Sequence, residues 1–223
     1  MPQSEAKKNQ NPNMKTHIKI AAVAACFAIG LSAYAQSGFI RPELSLVMPT
    51  TKAGQFEAKL KSAVGYGIAA GAVFGAQDEQ EIGVSLSLAD VKGSISSSTP
   101  FNFLGTNYTT GSDSVKLKTM PVLLNYRYYF GAKADGTRFY VGPSIGYTNV
   151  KYTEVLVGTR PGFIDMVTIT NSQNGFTWAM FLGLAIKLAD KTDLDVGYRF
   201  ASAKVENGHY NASALYTGIT FKF

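Results

Sequence analysis

Eight stretches of this chain alternate large apolar residues with small or polar ones, and that periodicity is what most limits the folds open to it. The first carries Ile40, Pro42, Leu44, Leu46 and Met48 on one parity, the second Tyr66, Ile68, Ala70, Ala72 and Phe74. Ile82, Val84, Leu86 and Leu88 form the third, and Val122, Leu124, Tyr126, Tyr128 and Phe130 the fourth. The fifth has Phe139, Val141, Pro143, Ile145 and Tyr147; the sixth runs from Phe176 through Trp178, Met180, Leu182, Leu184 and Ile186 to Leu188. Leu194, Val196, Tyr198 and Phe200 follow, then Leu215, Thr217, Ile219, Phe221 and Phe223. A strand sends successive side chains to opposite faces, so each stretch predicts a strand with one apolar face.

The connections between these stretches alternate in length. Short turns are expected at Gln77-Asp78-Glu79, 131–136 and 189–192, and long polar connections at 49–63, 96–113 and 153–174, with a shorter one at 205–211. Tight turns at one end and long loops at the other, joined by an even number of strands, predict an all-β, eight-stranded antiparallel up-and-down barrel that spans a membrane. Closure would pair the first strand with the last, so the terminal "LYTGITFKF" would not be an edge.

The second parity decides which face is outside. It reads Gly65, Gly67, Ala69 and Gly71, then Gly83, Ser85 and Ser87, then Gly142, Ser144 and Gly146. So small and weakly charged a face suits the crowded inside of a narrow barrel rather than a water-exposed surface, which sets aside a soluble lipocalin-like barrel. Its charges nearly balance: Arg41, Arg127, Lys187, Arg199 and Lys222 against Glu43, Glu81, Asp193 and Asp195. Facing lipid at mid-depth, each basic residue would cost about 2–4 kcal/mol, so these nine are assigned to an interior charge network. Arg127, Tyr129, Phe181, Arg199 and Tyr216 are expected to fill the lumen. Tyr126, Tyr128, Phe130, Tyr198, Phe200, Phe221 and Phe223 are assigned to an aromatic girdle at the turn end.

The front of the chain is different. From Met14, the basic Lys15, His17 and Lys19 precede an apolar stretch, Ile20 to Leu31, and an Ala33-Tyr34-Ala35 cleavage pattern. This predicts a signal peptide over 14–35, cut before Gln36, with 1–13 an upstream extension and 36–223 the barrel domain. Cleavage would remove Cys26, the single cysteine, and with it any disulfide or thiolate chemistry. It also removes Lys7, Lys8, Lys15, Lys19 and Glu5, so 21 basic and 15 acidic residues become 17 and 14, and the net charge falls from +6 to +3. That leaves no electrostatic case for nucleic-acid binding.

"MPVLLNYRYYFG" (120–131), "TDLDVGYRF" (192–200) and "TGITFKF" at the end resemble the bacterial outer-membrane β-barrel domain family, relatives of OmpA-like and OmpX-like transmembrane barrels. The resemblance implies an outer-membrane location, periplasmic termini, extracellular long loops, and contact with membrane lipid and lipopolysaccharide. It also implies that Ile219, Phe221 and Phe223 form the stretch that the barrel-assembly machinery reads. Pro143 departs from the pattern and predicts a bulge or a lost ladder bond, and Pro121 does so less strongly.

No nucleotide, metalloprotease or serine-hydrolase motif occurs, and no cofactor is implied. The expected role is structural or surface-interaction, as a monomer with a side-chain-filled lumen and loops free to meet an extracellular ligand. Two rivals remain: a narrow selective porin, and an outer-leaflet enzyme of the lipid A deacylase kind. The second would need His209, but "GHYNAS" places Asn211 rather than serine two residues on, with Ser213 four away. Lys52, Lys59 and Lys61 against Glu57 form a modest basic loop that could meet anionic lipopolysaccharide, and "DSV" at 113–115 resembles a short O-glycosylation site.

Overall fold

The computed structural model of the protein describes residues 37–50, 59–97, 101–103, 106–108, 110–131, 136–160, 163–205 and 208–223. The cysteine Cys26, the cleavage residues Ala33, Ala35 and Gln36, and the loop residues Lys52 and Glu57 lie outside the described residues. Among the described residues no helix is long and apolar enough to cross a membrane.

Eight long strands carry the fold: β1 (Ser37–Thr50), β3 (Ala63–Phe74), β4 (Gln80–Ser97), β7 (Thr110–Phe130), β8 (Thr137–Arg160), β9 (Phe163–Ala189), β10 (Thr192–Val205) and β11 (Gly208–Lys222). The short β2 (Lys59–Leu60) pairs with β4, and β5 (Phe101–Phe103) with β6 (Thr106–Tyr108). Each long strand is antiparallel to its neighbours in sequence, and β1 pairs with β11, so the meander closes on itself. Closure matters because an open edge would leave a row of N–H and C=O groups without partners in lipid. At the seam Leu44 faces Thr217 and Ile40 faces Phe221. The ladder continues beyond β11: the amides and carbonyls of Gly38 and Phe223 exchange two hydrogen bonds of 2.9 and 3.0 Å. The Phe223 ring covers Gly38, where a Cβ would come within 2.6 Å of a ring carbon.

The apolar parity faces out on all eight strands. Leu44, Tyr66, Leu86, Leu124, Ile145, Trp178, Val196 and Leu215 each stand at least 36% exposed around one continuous band. Water tolerates no contiguous apolar surface of that extent on a monomer, whereas acyl chains do.

The turn end follows the sequence reading. Gly75 and Asp78 adopt positive φ (88° and 55°), the Asp78 amide donates to the Gly75 carbonyl at 3.0 Å, and Asp190 and Lys191 make the turn between β9 and β10. The other end differs from it. Instead of a long connection over 153–174, β8 runs to Arg160 and β9 begins at Phe163, paired to the last residue. Likewise β10 and β11 leave only 206–207 between them. These segments mix Val155, Leu156, Val157, Ile164, Met166 and Val167 with Thr, Gly, Ser and Asn without a period of two, so they read as loop; backbone pairing of β8 with β9 nevertheless builds a long hairpin.

Pro143 makes no bulge. The register between β7 and β8 is the same before and after it, but the pairs Tyr126–Pro143 and Arg127–Gly142 drop out of the ladder. Pro121 leaves a similar gap against β4, and Pro42 one against β11 at the seam. Each lacks an N–H and forfeits bonds on one side while its other neighbour stays paired. The aromatic girdle also needs correction. Tyr126, Tyr128, Phe130, Phe139, Phe221 and Phe223 flank the turn end. Tyr198 and Phe200 lie well up β10, where Phe200 packs on Trp178 at 5.5 Å between ring centroids. The strand β10 climbs away from its turn at Lys191, so Tyr198 and Phe200 stand further from their turn than Tyr128 and Phe130 do from theirs.

Candidate functional site

The interior is built in layers, each set by the inward parity of several strands. Nearest the turns, Phe39 packs with Ala69 and Val73, and Arg138 donates to the carbonyls of Gln77 and Asp78 at 3.1 and 2.9 Å, pinning the β3–β4 turn from within. Its guanidinium lies 4.4 Å from the centroid of the Tyr129 ring.

Above this lies a six-member ion cluster of Arg41, Arg127, Arg199, Glu43, Glu81 and Asp195. Arg41 reaches Glu81 at 2.5 Å, Glu43 at 3.2 Å and Asp195 at 3.5 Å. Arg127 holds Asp195 at 2.9 Å, with Glu81 at 3.5 Å and Glu43 at 3.6 Å. Arg199 closes on the second oxygen of Glu43 at 3.0 Å. Tyr129 donates to Glu81 at 2.7 Å, and the Thr220 hydroxyl donates to Asp195 while accepting from Arg41 at 3.2 Å. Three cations and three anions cancel, which is what makes the burial tolerable: each ion costs several kcal/mol to desolvate and only complete pairing offsets it.

An aromatic wall backs the cluster. Tyr129, Tyr140, Phe181 and Tyr216 are buried together, and the Tyr140 and Tyr216 hydroxyls are 2.9 Å apart. The Arg127 guanidinium lies 4.5 Å from the Tyr140 ring and 5.0 Å from that of Phe181, so the weakly hydrated arginine face is stacked where a lysine would not fit. The glycines of the inward parity make room for these rings: a Cβ at Gly197 would stand 2.7 Å from the Tyr216 ring.

Further up, Asn125 bridges Ser85 and Ser144 at 2.9 and 2.6 Å, and Thr148 meets Thr177 at 2.7 Å. A cavity of about 70 Å³ follows, lined by Arg199, Thr119, Leu123, Tyr210, Ala201 and neighbours. Its accessible wall is mostly apolar, with Arg199, Thr119 and Tyr210 among the polar side chains that reach it, and it lies well below the few hundred Å³ of a small-molecule site. An apolar layer closes over it: Val91, Val115, Leu117, Val150, Ala203 and Tyr210.

Of the nine charges assigned to the lumen, six meet in the cluster. Lys222 and Asp193 form their own pair at 2.7 Å near the turns. Lys187 leaves the lumen for the turn, 3.0 Å from Asp190, and its hydrogen bond holds that exposed carboxyl below the usual carboxylate range. The bulge between Thr192 and Asp193 sits beside it and ends the strict alternation there. Ile219, Phe221 and Phe223 face outward and are 40%, 45% and 73% exposed. His209 is exposed and opposite Lys204, while the Ser213 hydroxyl accepts from Tyr198 at 2.7 Å. Among the described residues no group of three or more His, Cys, Asp and Glu is placed to hold a metal.

The sequence reading missed Thr220, Arg138 and Tyr140, although each lies on the inward parity. It also missed the apolar upper layer, whose signal is the reversal of pattern in "LADVKG" and "SVKLKT", where apolar residues move to the inward positions.

The sequence model of the family described as "Outer membrane protein beta-barrel domain" matches residues 21–223. Among solved structures the chain is similar to Neisserial surface protein A, at 15% identity and a TM-score of 0.50, covering 83% of this chain and 97% of that one. It is also similar to the outer membrane protein OprG from Pseudomonas aeruginosa, at 15% and 0.48 over 85% and 97% of the two chains. Ail, the attachment invasion locus protein of Yersinia pestis, follows at 14% and 0.46 over 84% and 97%. At such identities the likeness is one of fold. No curated protein matches the chain.

Replacing Glu81 by Gln leaves Arg41 and Arg127 short of a buried counter-charge. It is expected to cost about 3–5 kcal/mol in the urea-unfolding free energy of the barrel in micelles. Arg41→Met with Glu81→Leu should cost less than the two single changes together. A loss under about 1 kcal/mol for Glu81→Gln, in the range of an exposed pair, would show that the cluster does not hold the wall.

Proposed function

The chain belongs to the outer membrane protein β-barrel domain family, and from that premise we propose that it is a closed-lumen surface barrel, working through its outer face and its long hairpins rather than through a pore or a catalytic centre. The observation that carries this is the lumen itself, in which an ion cluster, an aromatic wall and an apolar layer succeed one another. Eight strands leave an interior just wide enough for side chains, and here the side chains are large. A narrow porin would need a polar path past Val91, Val115, Leu117 and Val150. A lipid A deacylase would need a base and a nucleophile in contact, whereas Ser213 is engaged by Tyr198 and His209 stands opposite Lys204.

In this reading the segment 14–35 is a cleaved signal peptide, the tight turns and both ends of the barrel domain are periplasmic, and the β8–β9 hairpin projects outside the cell. The protein is a monomer in contact with lipid and lipopolysaccharide, and the hairpins meet any extracellular ligand. Protein purified from outer membranes, with Gln36 as its first residue by N-terminal sequencing, is expected to give no stable conductance in planar bilayers. Large, reproducible conductance steps would replace the closed-lumen reading with the porin.

Ile219, Phe221 and Phe223 serve in addition as the address read by the barrel-assembly machinery. Burying a Phe contributes about 1.5–3 kcal/mol, and a ring 73% exposed contributes at the low end, so a finished barrel tolerates its loss. Deleting Phe223 should therefore leave unfolded protein in the periplasm, while Phe221→Leu, which keeps an apolar outward residue, should be milder. Heat-modifiable gel mobility and cell-surface labelling compare the two. Normal surface levels of the deletion variant would make Phe223 one more lipid-facing side chain.

A further inference from the structure

On β4, β7 and β8 the outward face changes character at one level. Below it stand Leu86, Leu88, Val122, Met120, Ile145 and Tyr147; above it come Asp90 and Lys92, Lys118 and Lys116, and Lys151. The strands place these charges next to one another. Lys92 faces Lys116, Asp90 faces Lys118, and Lys118 faces Lys151 across the ladder. The Lys61 amide donates to the Lys92 carbonyl at 2.8 Å, which sets a fifth lysine at the end of the row. All five are outward or exposed, the Lys116 and Lys118 side chains at 44% and 57%. Among the described residues one carboxylate serves them: Asp90 lies 3.4 Å from Lys116 and 3.7 Å from Lys118.

Like charges directly opposite on a sheet repel, and two such pairs share this patch. The lysines cannot relieve the repulsion by turning inward, because the alternate positions are the buried Val91, Val115, Leu117 and Val150. Elsewhere at this level the described outward side chains are Asn174 and Ser172 on β9 and one lysine, Lys204, opposite His209. The patch is therefore a fixed, concentrated positive lattice resting directly on a lipid-facing apolar band.

We propose that this lattice binds a phosphorylated, multiply acylated glycolipid of the outer leaflet, with its acyl chains along Leu86, Leu88, Val122 and Ile145 and its phosphates among Lys61, Lys92, Lys116, Lys118 and Lys151. The site deepens the surface-barrel reading and rests on its placing of the hairpin end outside the cell. The apolar band directly beneath favours a lipid over a soluble polyanion, which would gain nothing from it. Lysine suits the task as a point charge on a flexible stem, able to follow phosphates that carry no fixed geometry.

The test titrates the purified protein in detergent micelles with bisphosphorylated lipid A, its dephosphorylated form, inorganic phosphate and heparin, counting bound molecules by native mass spectrometry. The triple variant Lys92→Gln, Lys118→Gln, Lys151→Gln should bind bisphosphorylated lipid A at least about tenfold more weakly, given the attraction each lysine contributes at an anionic surface. Lys187→Gln with Lys191→Gln, at the turn end, should bind as the parent does, and dephosphorylated lipid A should bind the parent no better than the triple variant binds the phosphorylated form. Undiminished binding by the triple variant overturns the site, and so does inorganic phosphate or heparin that binds as tightly as the lipid. Labelling of Ser94→Cys on intact cells with an impermeant thiol reagent tests the orientation separately: no labelling, with lipid binding intact in micelles, defeats the outside placement and leaves the lattice.

Discussion

The interior depends on one neutral constellation, the three arginines and three carboxylates that meet at Arg41, Glu81 and Asp195. Its members come from β1, β4, β7 and β10, and Thr220 adds β11, so one cluster ties five of the eight walls together across the lumen. Being neutral, it can be dry, and every ion has a counter-charge, which matters because a buried ion with a missing partner is among the most damaging single defects a core can hold. Only the Nε atoms of Arg127 and Arg199 are left without a hydrogen bond among the cluster's described atoms. The aromatic wall follows from it. Arginine is the cation that stacks, so Tyr140, Phe181 and Tyr216 can enclose Arg127 without further hydrogen bonds, and the inward glycines leave space for their rings.

The barrel is a stack of two regimes with a single side-chain parity. In the lower part the outside is apolar, as lipid demands, and the inside holds the ion cluster together with the aromatic rings that enclose it. Above Leu88 and Met120 the chemistry is reversed: lysines outside, and Val91, Val115 and Leu117 within. The same strands pass from one solvent to the other without a break in register, and the reversal marks the boundary. Between the two interior fillings lies the small cavity beside Arg199, where neither the ion cluster nor the apolar layer extends.

Strand number, closure and the direction of each face were legible, because lipid enforces strict alternation and an even meander has one way to close. The upper hairpins were not. Thr170, Ser172 and Asn174 on β9 carry no apolar period, and only their pairing with β8 reveals a strand. Charge positions were legible by parity, but partners were not: whether Lys222 joins Arg41 or Asp193 depends on height along tilted strands, which sequence spacing does not encode. Lys187 shows the same limit, since a bulge two residues short of a turn frees it from the parity that assigned it inward. Tyr198 and Phe200 share the outward parity of the turn-end aromatics, but parity does not say how far up β10 they stand.

The central claim is that the lumen is closed by a dry, ordered ion cluster rather than by solvated charges. Arginine side-chain NMR of the protein in lipid nanodiscs tests it most directly. For Arg41 and Arg127 the account predicts slow guanidinium rotation, individually resolved Nη–H signals protected from water, and contacts from Arg41 to Glu81 and from Arg127 to Asp195. Averaged guanidinium signals exchanging freely with water at both arginines would contradict it.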